Sequence, residues 1–420
     1  MYRLENCLRT LFFVSFLVVL TAGCKQSSYL GTSDLSSLYI PKGFPQGFSC
    51  IVYHDNDSIS FALLRFPNSS ISFLPARQGE KASRRIKLSY LLYHSIQDNN
   101  LVDSASFVYK DTLAHAPAFF EKTLDLKAIA GSDYVLRIEV IDLATDKRYF
   151  LLKPFTKTVK ASSNWFRLET ERNGLLQGNY LSEDERLRLI TSDTSIKTVT
   201  CKAFYEIFPA AIPPFVEKER QKFGYRNDSL FTLKLKAGTS DFIRLPHEGF
   251  YFFQADSNGK EGITFFRFYN GYPKIKTPQR MAESLRYITS SEEFNKLLSS
   301  AYPKETVDSF WVTTAGGPDR AVELIRSYYG RVEEANRFFV SFCEGWKTDR
   351  GIIYIMFGPP NVVYRSDQQE LWTYGEANNY HSIQFLFQKV LNPFTENDYI
   401  LQRQFNYKEI WYNAVQQWRR

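Results

Sequence analysis

The hydrophobic and polar positions along the chain fall into four regimes. First comes an apolar stretch, Leu11 to Leu20, interrupted only by Ser15 and preceded by Arg3 and Arg9. Ten residues of helix rise only about 15 Å, about half a bilayer core. The stretch therefore predicts the apolar region of a secretory signal over 1–23, with Thr21-Ala22-Gly23 as the cleavage site, rather than a spanning helix. Residues 24–45 are rich in Ser, Gly and Pro and predict a tether. From 46 to 158, Ile86, Leu88 and Tyr90 alternate with Lys87 and Ser89, and Leu136, Ile138 and Val140 alternate with Arg137 and Glu139. Period-two patterning gives each strand one dry and one wet face. Asp55-Asn56-Asp57 and Gly131-Ser132-Asp133 punctuate the strands as turns.

A second stretch of this kind runs over 159–270. Val199, Cys201, Ala203 and Tyr205 share one face, and Phe231, Leu233 and Leu235 alternate with Thr232, Lys234 and Lys236. Phe250–Phe253 and Ile263–Phe268 flank Asp256-Ser257-Asn258-Gly259, a hairpin turn because Asn-Gly accepts positive φ cheaply. Pro209, Pro213 and Pro214 mark a loop. Each region predicts a β-sandwich.

After a hinge at Gly271–Pro278 the period changes. Ser290-Ser291-Glu292-Glu293 fits a capping box ahead of a stripe of Phe294, Leu297, Leu298 and Ala301. Beyond Gly316-Gly317-Pro318, apolar residues from Ala321 to Phe342 recur at helical spacing, with Gly330 a possible bend point. Ile352–Phe357 predicts a buried strand ended by Gly358-Pro359-Pro360. Leu371–Tyr374 and Ile383–Phe387 predict further strands, and Ile410 to Trp418 a closing amphipathic helix. The predicted fold is mainly β, two tandem β-sandwich domains (46–158 and 159–270) followed by an α+β domain over 271–420.

Composition changes this picture little. Of 420 residues, 16% are aromatic, the one excess, and the formal charge is +7. Cleavage before Cys24 would remove Arg3, Arg9 and Glu5 and leave +6. The charges are interspersed, so no nucleic-acid partner is expected. Cys50, Cys201 and Cys343 match neither a zinc spacing nor a redox CxxC and are expected to be free and buried.

Cys24 follows directly on small residues, and the segment resembles a bacterial lipobox. That resemblance implies cleavage before Cys24, diacylglyceryl transfer to its thiol, and a membrane partner reached through the lipid. No Asp follows the cysteine and no acidic cluster follows it, so the expected location is the periplasmic face of the outer membrane.

The segment Gly345-Trp346-Lys347-Thr348-Asp349-Arg350-Gly351, followed by Ile352–Phe357 and Gly358-Pro359-Pro360, is the most specific motif in the chain. Physically, Trp346 is expected to bury its ring where a helix ends, its N–H on a nearby carbonyl. Gly345 and Gly351 are expected to adopt backbone conformations closed to side chains. Asp349 is expected to accept backbone N–H bonds or to pair with Arg350. With Phe310-Trp311, Arg331–Phe338 and Glu370–Tyr374, the segment resembles the GWxTD domain, a family of exported bacterial proteins named for the motif. The resemblance covers about 300–376 and implies a domain but no activity.

Two roles follow for Gly345, Trp346, Thr348, Asp349, Arg350, Gly351, Gly358, Pro359 and Pro360. They form a fold determinant, or they form a polar pocket in which Asp349, Arg350 and Arg337 converge. No GxSxG elbow, Walker loop or HExxH is present, and His54, His94, His115, His247 and His381 have no ligand spacing, so no metal or cofactor is expected. Asp55, Asp57, Asp142 and Asp146 read as turn residues. The functional expectation is a non-catalytic binding or assembly module for an envelope protein partner. The alternative is an envelope hydrolase on glycan or peptide using Asp349, Arg350 and Glu370.

Overall fold

The computed structural model describes residues 34–39, 48–72, 83–94, 100–112, 118–157, 163–172, 174–176, 178–181, 184–218, 220, 223–255, 262–376, 379 and 382–420. The signal segment, Cys24, His115, His381 and the Asp256–Gly259 turn lie outside them.

The first unit is a sandwich of two antiparallel sheets. One orders β1 (Ser49–His54), β2 (Ile59–Pro67) and β5 (Phe119–Lys127). The other orders β4 (Leu101–Thr112), β3 (Ser83–Tyr93), β6 (Ser132–Asp142) and β7 (Lys147–Lys157). The alternating residues read from the sequence are the ones that meet: Ile86, Leu88, Tyr90, Leu136, Ile138 and Val140 pack across the gap on Val52, Leu64, Leu124 and Leu126.

The second unit is one eight-stranded antiparallel sheet. Its order is β15 (Ile263–Arg267), β14 (Gly249–Gln254), β11 (Thr198–Phe204), β12 (Ser229–Lys236), β13 (Thr239–Ser240), β10 (Leu187–Thr191), β8 (Phe166–Thr170) and β9 (Gly174–Leu175). The two layers expected of a sandwich are halves of this sheet, which curls so that Leu168 and Leu189 share a core with Val199, Cys201, Leu233 and Phe253. The tight turn at Ala237-Gly238 makes the corner. Both residues have positive φ, and a Cβ on Gly238 would stand 2.3 Å from the Thr191 carbonyl oxygen.

β14 is buried on both faces, which explains its unbroken aromatic run. Tyr251 and Phe253 face the sheet's own core, while Phe250 and Phe252 join Phe204, Phe266, Tyr272, Phe342 and Phe394 in a second cluster. That cluster welds the sheet to the C-terminal part. The expected hinge at 271–278 is therefore a packed joint: Tyr272 is fully buried and its hydroxyl donates to the Asn336 carbonyl at 2.6 Å.

The C-terminal part holds α1 (Pro278–Ser284), α2 (Ser291–Ser299), α3 (Pro303–Ala315), α4 (Pro318–Phe338), α5 (Asp349–Phe357) and α6 (Tyr407–Trp418). These pack with a four-stranded antiparallel meander, β16 (Val362–Arg365), β17 (Gln369–Tyr374), β18 (Ile383–Lys389) and β19 (Tyr399–Leu401). The capping box at Ser290 and Glu293 forms as read. The stripe behind it is only partly buried, with Leu297 inside and Leu298 50% exposed. α4 runs uninterrupted through Gly330.

The strand expected at Ile352–Phe357 is helix α5. Thr348 caps it, its hydroxyl oxygen accepting the Gly351 N–H at 3.0 Å. The helix is buried all round from Asp349 to Met356, so its apolar residues show no helical stripe. The tether reading also gives way where it can be seen. Asp34–Tyr39, with a short 3-10 turn at Ser36–Leu38, packs into the C-terminal core through Leu35 and Tyr39.

Candidate functional site

The motif residues join α4, α5 and the meander. After α4 ends, a 3-10 turn at Gly345–Lys347 is pressed against it. A Cβ on Gly345 would lie 2.0 Å from the Ala335 carbonyl oxygen, and one on Gly351 1.9 Å from that of Gly345. Both glycines serve close approach, which replaces the expected special φ. Only Gly358 needs a left-handed backbone, at φ +83°. It ends the helix, where Arg331 donates to the carbonyls of Ile355 and Met356 at 3.0 and 3.2 Å. These are the orphan acceptors of a helix C-terminus. Pro359 is exposed and Pro360 buried.

Trp346 is buried, its backbone N–H on Asn336 Oδ1 and its carbonyl accepting from Tyr287. Asn336 is fully buried and also donates to Tyr269 Oη and the Pro273 carbonyl. One amide thereby holds the motif, α4 and the joint to the second unit.

Asp349 does not pair with Arg350. Its carboxylate accepts the Leu401 N–H at 2.8 Å and both terminal nitrogens of Arg403, at 3.0 and 2.5 Å. Arg403 Nη1 reaches the Leu401 carbonyl at 3.5 Å. Together they occupy the outward polar groups of Leu401 on edge strand β19.

Arg350, 1% exposed, forms a separate centre. Its Nη1 donates to Glu370 Oε2 and Tyr39 Oη, each at 3.1 Å, its Nη2 to the Asn397 carbonyl, and its plane lies 4.0 Å above Tyr399. Glu370, wholly buried, also accepts from Arg365 Nε at 3.0 Å and the Trp372 indole at 2.7 Å. Burial alone would raise the Glu370 pKa, but Arg365, Arg350 and the Trp372 and Tyr39 hydrogen bonds outweigh it and hold the carboxyl below its ordinary value. Burial pushes the Tyr39 phenol well up, so it stays a neutral donor.

The polar pocket of Asp349, Arg350 and Arg337 is not assembled. Arg337 sits near the surface with Glu333 at 2.7 Å, and Asp349 and Arg350 belong to different pairs. Arg350 and Glu370 share one buried ion pair, while Asp349 belongs to another with Arg403. A cleft of about 760 Å³ does open beside Arg403, between Glu217, Lys218 and Arg220 on one side and Ile400 and Leu401 of β19 on the other, with Phe223, Tyr225, Phe342 and Phe394 on its walls. Arg220 and Asp398 close its side with two hydrogen bonds at 2.6 and 2.8 Å.

Sequence reasoning missed Tyr39, Asn336, Arg365, Asn397 and Arg403. Only Arg365 had a local signal: it faces Glu370 across the β16–β17 hairpin, an opposite-charge cross-strand pair. Among the described residues no three His, Cys, Asp or Glu side chains group as metal ligands, and Cys50, Cys201 and Cys343 are free and buried. His54 lies buried between Ser60 Oγ and the Thr156 carbonyl, and burial lowers its pKa to about 4. Asp142 caps its own turn, accepting from Ala144 N and Thr145 Oγ1 at 2.9 Å each.

These features define a multi-unit, mainly β protein closed by an α+β domain whose signature residues form an internal joint. The family model described as the GWxTD domain matches residues 249–420, and the chain is a GWxTD domain-containing protein. The match begins at Gly249 and so takes in β14 and β15, the strands that supply Phe250, Phe252 and Phe266 to the aromatic cluster shared with the C-terminal part. No curated protein matches the chain. Among solved structures, alpha-2-macroglobulin of Escherichia coli activated by porcine elastase is similar over 51% of this chain and 22% of that one, at 12% identity and TM-score 0.14. The chain thus spans about a fifth of that protein's length, and a likeness this slight carries no argument.

Proposed function

We propose that the chain is an exported envelope lipoprotein, held through acyl chains on Cys24 at the periplasmic face of the outer membrane. There it acts as a non-catalytic binding or assembly module for a protein partner. The observation that carries the reading is the fate of the motif's charges. Asp349, Arg350 and Glu370 are all buried and bonded to protein groups, so the motif's chemistry is spent on holding the domain together. A hydrolase built on these three residues would need them in one solvent-open site. The N-terminal pattern and Cys24 support the anchor, and several acyl chains, at about 0.8 kcal/mol per buried CH₂, hold stably to a leaflet.

Two measurements test this. Metabolic labelling with a palmitate analogue should mark the wild-type chain and not Cys24→Ala, which should also leave the membrane fraction. Cross-linking in intact cells, followed by sizing in mild detergent, should give a complex larger than the chain. Recovery of monomer alone in both states would refute the assembly role.

A further inference from the structure

We infer that the GWxTD domain stands at the membrane rather than at the far end of the molecule, its β16 sheet edge held next to the leaflet that carries the lipid. This rests on the anchor proposed at Cys24.

Chain order alone points the other way. A tether followed by two β units and then this domain would set it farthest from the membrane. The structure returns the N-terminal segment to the far end of the chain. The Leu35 N–H donates to the Val363 carbonyl at 2.8 Å, and the Val363 N–H to Asp34 Oδ1 at 2.9 Å, so the segment pairs with the outer edge of β16 as a short added strand would. Asp34 is itself fixed by the Ser36 N–H and hydroxyl at 2.8 and 2.9 Å. Tyr39 is 4% exposed, its ring 5.1 Å from Phe339 and 5.4 Å from Trp372, and its hydroxyl bonded to Arg350 and Arg365. Its carbonyl accepts from Tyr354 at 3.1 Å. A segment bound at both ends in this way is part of the domain.

Reach then sets the geometry. Nine residues, 25–33, separate Cys24 from Asp34. Whatever their conformation, ten Cα steps span at most roughly 35 Å. The β16 edge therefore cannot stand farther than that from the acylated cysteine. The Ser36–Leu38 turn also borders β7, so the first unit approaches the leaflet beside it.

The test uses the full-length acylated protein in phosphatidylethanolamine–phosphatidylglycerol vesicles carrying an acceptor dye on the headgroups. A donor is attached at Asp367→Cys, an exposed position just past β16; the described native thiols are buried. Energy transfer should be high. A 30-residue Gly/Ser insert after Ser28, which leaves every described residue intact, should reduce transfer at least twofold while acylation and vesicle flotation stay unchanged. Tyr39→Ala, with folding checked by circular dichroism, should also reduce it. Transfer that is low, or indifferent to the insert, in protein that is acylated and floats would overturn the orientation and leave the anchor standing. Absence of acyl label or of flotation would overturn the anchor and the orientation with it.

Discussion

At Gly345 and Gly351 the motif needs glycine for room rather than for a left-handed backbone. The atoms a Cβ would meet, at 2.0 and 1.9 Å, are backbone carbonyl oxygens that no rotamer change can move. Gly345→Ala and Gly351→Ala should each destabilise the domain by about 3 kcal/mol, the upper end of overpacking costs. Urea unfolding should show this as a lowered midpoint at unchanged slope. Glu370 poses a different residue-scale problem, since its one buried carboxylate pairs with two guanidinium groups. Glu370→Gln keeps the shape and removes the charge, at an expected cost of about 3–5 kcal/mol, as for breaking a buried pair from one side. Because the carboxyl's folded-state pKa lies below its ordinary 4.5, its stabilisation is complete above that value and is lost as pH falls through the lower folded one. Wild type should therefore show an acid-sensitive drop in melting temperature below about pH 4.5, and Glu370→Gln should lack that share of it. An equal drop in both proteins would mean that another group governs the acid limb.

At the scale of elements, α5 depends on its first turn for two separate things. Thr348 supplies the cap, and Thr348→Ala should cost about 1 kcal/mol, a typical cap loss. Asp349, one residue on, closes the edge of β19 and balances Arg403, so Asp349→Ala should cost about 3 kcal/mol. Denaturant midpoints for the two variants, side by side, separate capping from edge closure; equal losses would contradict the division. The same helix shows where sequence reading runs out. Ile352–Phe357 is apolar without interruption, and a short run buried on every side looks the same as strand or helix. The β3 and β6 alternations were legible because each strand keeps one face wetter than the other. α3 leaves little trace in the sequence, because only Val307, Trp311 and Ala315 are buried while Val312 is 41% exposed, so its contrast is weak. The motif was legible as a joint between elements, but its partners were not. Arg403 lies 54 residues from Asp349 and Tyr39 lies 311 from Arg350, and no local pattern links residues so far apart.

At the scale of the molecule, the second unit and the GWxTD domain share one aromatic core, and Phe394 is its centre. The ring reaches from the β18–β19 connection into the outer face of the second sheet, 5.0 Å from Phe204 and 5.1 Å from both Phe250 and Phe252. The family match starts at β14, the strand that supplies two of those rings, so it takes in two strands of the second sheet and cuts across that sheet's own core rather than between separate units. Units that share a core should unfold together. Phe394→Ala removes a large buried ring and should cost about 3–5 kcal/mol. Because the loss falls on the joint, calorimetry should resolve a second transition that wild type merges with the first. Leu126→Ala, a comparable truncation inside the first sandwich, is the control: it should lower that unit's own transition and leave the merged one where it was. If Phe394→Ala lowers the merged transition without splitting it, the second sheet and the α+β domain are one folding unit held at many points. The joint described by Phe394 would then be only one contact among them.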